Sequence, residues 1–185
     1  MVKRIGVLAL QGDFAEHKHA LEQVGADVVE VRLPRHLDDI DGLIIPGGES
    51  TTLRKLADAF SLMSPLRTFA LHRPTWGTCA GAILLAREIV NQSPHLGVMD
   101  IKVQRNAFGR QINSFVADLA VEGHSYPAVF IRAPLILTIG QHVTPLATLD
   151  DGRIVAAQQG HLLATAFHPE LTNNHWFHHR FVQMI

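Results

Sequence analysis

A single cysteine, Cys79, among 185 residues excludes an internal disulfide and leaves one free thiol, as expected of a protein kept in a reducing compartment. Charge of one sign is equally lacking. Sixteen basic residues face seventeen acidic ones, a formal net charge of -1, so no positive surplus points to nucleic acid or an anionic membrane. Long apolar runs are absent too: the run opening at Ile5 is cut by Gln11 and Asp13, far short of a signal or membrane-spanning segment. Repeats, low-complexity stretches and linkers are also missing. These absences predict a cytoplasmic protein of one domain over residues 1–185, acting on a small, nearly neutral substrate or a protein partner. Apolar residues make up 47% of the chain, enough for a sizeable core. Histidine is unusually frequent at twelve, so the net charge turns positive in mild acid.

The first half alternates strand and helix. Residues 5–10 form a short apolar run, broken at Gln11-Gly12 and followed by Phe14, His17, Ala20, Leu21 and Val24 at mixed helical spacing up to Gly25. Segments 27–31 and 42–45 are further strands. Neither has the alternation of a sheet with one wet face, which predicts buried parallel strands. A glycine turn at 46–52 leads into a helix reaching about Phe60; 74–78 predicts a fourth strand and 80–89 a helix rich in alanine, leucine and isoleucine. Beyond Val98 come short strand-like pieces at 100–103, 115–121, 129–131, 146–149, 154–157 and 162–167. A last helix from Asn174 puts Phe177, Phe181, Met184 and Ile185 on one face. The class is α/β, an open, mostly parallel sheet with helices on both faces, in which ligands bind at the carboxyl ends of the strands.

Gly77-Thr78-Cys79-Ala80-Gly81 sits between an apolar strand and a helix, the setting of a nucleophile elbow with cysteine in place of serine. The helix amino terminus favours thiolate over thiol, and the amide of Ala80 points toward a developing oxyanion. A buried, inert cysteine is the plainer reading. Phe167-His168-Pro169-Glu170 supplies a base and an orienting carboxylate, since Pro169 biases His168 toward extended backbone and sets His168 and Glu170 on one side. A strand-end histidine beside a solvated glutamate is the ordinary reading of that tripeptide. Gly47 and Gly48 end a buried strand, where backbone approaches a ligand and either residue supplies a second oxyanion donor. The same segment also reads as an ordinary turn with Ser50, Thr51 or Thr52 capping the next helix, and it lacks the spacing and lysine of a phosphate loop.

Taken together, these pieces resemble the glutaminase subunits of pyridoxal 5'-phosphate synthases, within the class I (triad) glutamine amidotransferases. The likeness runs through Gly6-Val7-Leu8-Ala9-Leu10-Gln11-Gly12, Pro46-Gly47-Gly48-Glu49-Ser50-Thr51-Thr52, the cysteine elbow, Arg105-Asn106-Ala107-Phe108-Gly109-Arg110-Gln111, Phe130-Ile131-Arg132-Ala133-Pro134 and Phe167-His168-Pro169-Glu170-Leu171. The elbow and H-P-E are common to many triad amidotransferases, whereas L-Q-G, P-G-G-E-S-T-T and R-N-x-F-G-R-Q are more specific to this family. The resemblance implies a flavodoxin-like three-layer fold, with Cys79 as nucleophile, His168 as base and Glu170 as its orienting carboxylate. It implies L-glutamine held by Gly47, Gly48, Glu49, Arg105, Ile131 and Arg132, with Gln11 beside an oxyanion hole of Gly48 and Ala80. It also implies ammonia delivered to a synthase subunit, docked around an oligomeric synthase core. Arg105 has the chemistry to hold a carboxylate in a bidentate fork.

Neither a cofactor nor a metal is required by this chemistry. His175 and His179 share a helix face at i, i+4 beside His178, which raises metal binding as a separate reading, but no cysteine or carboxylate completes the set. A triad amidotransferase that serves a different acceptor would share the triad but not the R-N-x-F-G-R-Q run, and against a binding subunit without catalytic turnover stands the intact triad.

Overall fold

The computed structural model describes residues 2–106 and 114–185, so Ala107 to Gln111 of the R-N-x-F-G-R-Q run lie outside the described residues. In chain order the elements are β1 (Arg4–Leu8), α1 (Phe14–Gln23), β2 (Asp27–Val31), β3 (Gly42–Ile45), α2 (Ser50–Ala59), α3 (Met63–His72), β4 (Thr75–Thr78), α4 (Ala80–Leu85) and β5 (Ala86–Ile89). There follow β6 (Met99–Gln104), β7 (Ser114–Val121), β8 (His124–Ile131), β9 (Leu135–Ile139), β10 (Thr144–Thr148), β11 (Ile154–Gln159), β12 (Leu162–Thr165) and α5 (Trp176–Gln183).

One sheet has the order β2-β1-β3-β4-β12-β11-β9-β6-β5, with β10 paired to β11. Its first five strands are all parallel. The β12–β11, β11–β9 and β9–β6 pairs run antiparallel, and β7 and β8 form a separate hairpin. The parallel half needs crossovers that cover both faces, and its central strands β3, β4 and β12 are buried along their whole length for that reason. In β3 successive side chains feed opposite cores: Leu43 and Ile45 pack with Leu53, Leu66 and Phe69 of α2 and α3, while Ile44 packs with Leu21 of α1 and Phe177 and Phe181 of α5. Trp76 on β4 is fully buried in the second core, stacked on Phe177 at 6.1 Å between ring centroids. Each such side chain removed from water contributes about 1.5–3 kcal/mol.

The helix expected over 80–89 ends early. It stops at Leu85, and Ala86–Ile89 turns into an edge strand paired parallel with β6, Ala86 opposite Met99 and Ile89 opposite Val103. Good helix formers lose here to tertiary pairing, which buries Ala86 and Ile89 while Arg87 and Glu88 face water. α3 and β9 were not expected as elements. β8 begins at His124 rather than at 129 because Pro127 is accommodated in a two-stranded ribbon with a free edge.

Two consequences of this topology build the cavity. The carboxyl ends of β1, β3, β4 and β12, adjacent in the sheet, bring Gln11 to Asp13, Gly47 to Glu49, Cys79 and His168 to one edge. The hairpin then returns Ile131 and Arg132 over that edge, with Phe130 stacked on Phe115 at 4.6 Å.

Candidate active site

Cys79 is held at φ 47° and ψ -105°, between the last residue of β4 and the first of α4. A side chain there costs on the order of 1–3 kcal/mol and persists only where the surroundings fix it. They do: the Cys79 amide donates to the Thr165 carbonyl at 2.8 Å, and the Cys79 carbonyl accepts from the Ala82 amide at 3.1 Å. A Cβ at Gly81 would run into the carbonyl oxygen of Ile45, so α4 approaches β3 closely enough only with glycine in that place. The thiol is 5% exposed and lies 3.8 Å from the carbonyl oxygen of Ile131.

His168 leaves β12 with its amide donating to the Val129 carbonyl at 2.8 Å, and Pro169 then starts a 3-10 turn over Pro169–Leu171. Its Nδ1 stands 2.7 Å from Oε1 of Glu170 and 3.2 Å from Oδ2 of Asp13. Its Nε2 is buried with no hydrogen-bond partner among the described residues. Burial disfavours charge on this ring, but interactions with Asp13, Cys79 and Glu170 outweigh it and push the pKa up to about 12. His168 is therefore a cation whenever the sulfur beside it is a thiolate.

Gly48, Glu49, Cys79, Arg105, Ile131, Arg132 and His168 line a single cavity of about 450 Å³, joined by Asp13, Ser50 and Leu171. Gln11, Gly47 and Ala80 are not among its lining residues. Gln11 instead lies against Gly48, where its Oε1 accepts from the Glu49 amide at 3.3 Å. The Arg105 guanidinium spans Oε1 of Glu49 at 2.8 Å and the Thr51 hydroxyl at 3.2 Å. Burial works against charge on Glu49, yet the Thr51 and Thr52 amides, at 3.1 and 2.7 Å, hold its pKa down at about 2. The segment thus both caps α2, through the Glu49 side chain and not through Ser50, Thr51 or Thr52 as the turn reading expected, and sets Arg105 at the cavity wall.

Comparison with known proteins shows the family. The sequence matches the SNO glutamine amidotransferase family over residues 7–185. The chain belongs to that family. Among curated relatives, the pyridoxal 5'-phosphate synthase subunit PdxT of Herpetosiphon aurantiacus is 55% identical over 186 residues, covering 96% of this chain and 98% of its own length. That of Roseiflexus castenholzii is 52% identical over 187 residues, covering 97% and 99%. A crystal structure described as a glutamine amidotransferase superposes with a TM-score of 0.92 at 48% identity, over 97% of both chains. The structure of PurLQS from Thermotoga maritima shares the fold, with a TM-score of 0.75 at 22% identity over 100% of this chain and 98% of that one.

Within this glutamine amidotransferase, the residues that the sequence did not single out lie on α1 and α5. Asp13 precedes α1 and meets His168; its pKa is lowered chiefly by that hydrogen bond. His17, one turn on, puts Nε2 3.3 Å from Oε2 of Glu170, and its Nδ1 lies 3.0 Å from Nε2 of His178. The C-terminal histidines consequently do not assemble as a metal set: His178 is buried against His17, and His179 is exposed. Among the described residues, Asp13, His168 and Glu170 are the one group whose ligand atoms gather, within 4.8 Å of one another. A shared proton on Nδ1 of His168 already satisfies both carboxylates there. Also among the described residues, no helix is long and apolar enough to cross a membrane.

Burial holds His17 well below the usual histidine range and His178 at about 3. In the unfolded chain both titrate near ~6.5, so below that pH the unfolded state binds more protons than the folded one. Their neutral burial therefore adds full stability above pH ~6.5 and loses it as pH falls toward 3. Urea midpoints measured from pH 7.5 down to 4.5 should fall, and fall less steeply in His178→Asn. Parallel midpoint curves for the two proteins would show that His178 is not held neutral.

Proposed function

We propose that Cys79, His168 and Glu170 are the triad with which this glutamine amidotransferase hydrolyses L-glutamine to L-glutamate and ammonia. One observation carries the reading. A cysteine on a strained strand-to-helix turn shares a cavity with a histidine whose Nε2 is free and whose Nδ1 is fixed 2.7 Å from a buried carboxylate.

The Cys79 thiolate attacks the side-chain carbonyl carbon of glutamine, and backbone amides near Gly48 and Ala80 receive the oxyanion. The protonated His168 gives its Nε2 proton to the departing nitrogen, which leaves as ammonia, and a glutamyl thioester remains on Cys79. His168 then takes a proton from water, the hydroxide adds to the thioester, and glutamate leaves as the thiolate is restored. Glu170 keeps the Nδ1 proton on His168 throughout, so Nε2 always faces the reaction. Arg105, fixed by Glu49, binds the substrate carboxylate, and Gly48, Ile131 and Arg132 complete the glutamine site. The chemistry calls for no cofactor and no metal.

The ammonia passes to the synthase subunit of pyridoxal 5'-phosphate synthase for vitamin B6 synthesis. In this reading residues 1–185 act as one glutaminase domain docked around an oligomeric synthase core in the cytoplasm, where Cys79 stays reduced. Docking also switches the enzyme on: Gln11 holds the Glu49 amide at 3.3 Å, and displacing Gln11 frees the Gly48-Glu49 peptide to face the oxyanion. One misplaced oxyanion donor costs about 10² to 10³ in rate. Adding synthase subunit to a fixed amount of this chain at saturating glutamine should raise glutamate release by about that factor. Full turnover by the isolated chain would remove the switch, and no glutamate release at any ratio of subunits would remove the glutaminase reading itself.

A further inference from the structure

Behind the triad lies a second set of polar groups that the mechanism does not use. His17 and His178 are both 0% exposed, on two helices of the same face of the sheet, and Thr78, the residue before the nucleophile, is equally buried. His17 Nε2 sits 3.0 Å from the Thr78 hydroxyl and 3.3 Å from Oε2 of Glu170, while its Nδ1 sits 3.0 Å from Nε2 of His178.

The proton positions follow from the chemistry of the neighbours. Nε2 of His17 carries the proton and makes its hydrogen bond to the Thr78 hydroxyl oxygen, while Oε2 of Glu170, 3.3 Å from the same nitrogen, accepts no hydrogen bond among the described residues. A neutral His17 then has a bare Nδ1, which must accept, and Nε2 of His178 is its donor. His178, neutral in turn, has a bare Nδ1, and that atom is left buried without a partner among the described residues. An orphaned acceptor is more tolerable there than an orphaned N–H. The ring protons thus run from His178 through His17 to Thr78. Oε2 of Glu170 is buried with no hydrogen-bond partner among the described residues, so the 3.3 Å approach of the neutral His17 ring is a polar contact rather than a hydrogen bond or an ion pair.

We infer that His17 is a positioning residue for glutamine hydrolysis: its ring is bonded to Thr78 at the strand end that carries Cys79 and stands against the outer oxygen of Glu170, a clamp that keeps the inner oxygen aligned on His168. This inference rests on the triad reading. Glu170 follows a proline in a short turn, and Oε1 alone, 2.7 Å from His168, does not fix rotation of the carboxylate. The His17 ring, held by Thr78, stands 3.3 Å from Oε2 and limits that rotation. His178 acts one step further out, fixing the His17 tautomer.

The test uses the two carboxamides that mimic opposite nitrogens of histidine. Glutamine places its amide where Nε2 was, and asparagine places its amide where Nδ1 was. In the complex with the synthase subunit, His17→Leu should lower kcat about tenfold to a hundredfold with KM within about twofold, as loss of an outer-shell partner does at other sites. His17→Gln should restore most of that kcat, and His17→Asn should not. Unchanged kcat in His17→Leu overturns the inference, as does a change confined to KM. If His17→Leu fails to fold, the Gln and Asn variants decide: kcat at least about fivefold higher for Gln supports the clamp, and equal values overturn it. Cys79→Ala in the same assay separates the two readings, because residual turnover there sinks the triad, whereas an inactive Cys79→Ala beside a fully active His17→Leu sinks only the clamp.

Discussion

Cys79→Ala releases no measurable glutamate in the presence of the synthase subunit, a loss of at least about 10⁴ in kcat, and it unfolds within a few degrees of the wild type. The size of the effect comes from the absence of a substitute. Water would have to attack the amide directly, with only the oxyanion donors and substrate binding to assist. Ser50, a hydroxyl in the same cavity, opens α2 rather than standing on the elbow beside His168. Stability changes little because alanine suffers the same strain as cysteine at φ 47°, while the amide and carbonyl hydrogen bonds that hold the turn belong to the backbone. The sulfur itself stands at the edge of an open cavity, so its removal leaves little void. Quenched mass spectrometry adds a second reading: wild type trapped during turnover carries a glutamyl adduct on the peptide containing Cys79, and the variant carries none. Turnover by Cys79→Ala above about a tenth of wild type, or an adduct on another residue, would assign the chemistry elsewhere.

The strand-to-helix turn at Cys79 was legible in the sequence because its requirements are local. An apolar strand, small residues on both sides of Cys79 and a following helix are all read within a short stretch, as is the Pro169 that sets His168 and Glu170 on one side. The carboxyl-end location of the site was legible for a related reason, since a parallel βαβ rhythm leaves one edge at which loops gather. Asp13, His17 and His178 were not, because their roles exist only across the fold: His17 and His178 are 161 positions apart, and nothing in the helical spacing of α1 distinguishes a buried polar histidine from a solvated one. The available hint was the i, i+4 relation of Asp13 and His17, which puts both on the face turned toward the triad. The early end of α4 was hidden in a similar way. Alanine, arginine, glutamate and isoleucine are compatible with a helix, and only the open edge of β6 makes them a strand.

Gly47→Ala lowers kcat by about 10² with little change in KM, although Gly47 does not line the cavity. A glycine next to a nucleophile site is usually read as a donor of backbone N–H to the oxyanion, and alanine would keep that N–H. The structure assigns a different reason for glycine. Its φ is not positive, so alanine is compatible with the backbone, but a Cβ there would lie 2.6 Å from Cε1 and 3.1 Å from Nδ1 of His168, and 3.1 Å from Oδ2 of Asp13. The imidazole is hemmed by Glu170 at 2.7 Å on its other side, so it has to tilt, and the tilt moves Nε2 away from the sulfur and strains the Nδ1 hydrogen bond. Overpacking of this kind costs about 1–3 kcal/mol of stability, enough to see in a melt without unfolding the chain. Glutamine binding survives because Arg105, Glu49 and Arg132 are untouched. Steady-state kinetics of the complex decide the matter: kcat within about threefold of wild type would return Gly47 to the role of backbone donor, whereas a kcat defect of about 10², with KM preserved, identifies Gly47 as the space in which the His168 ring is held.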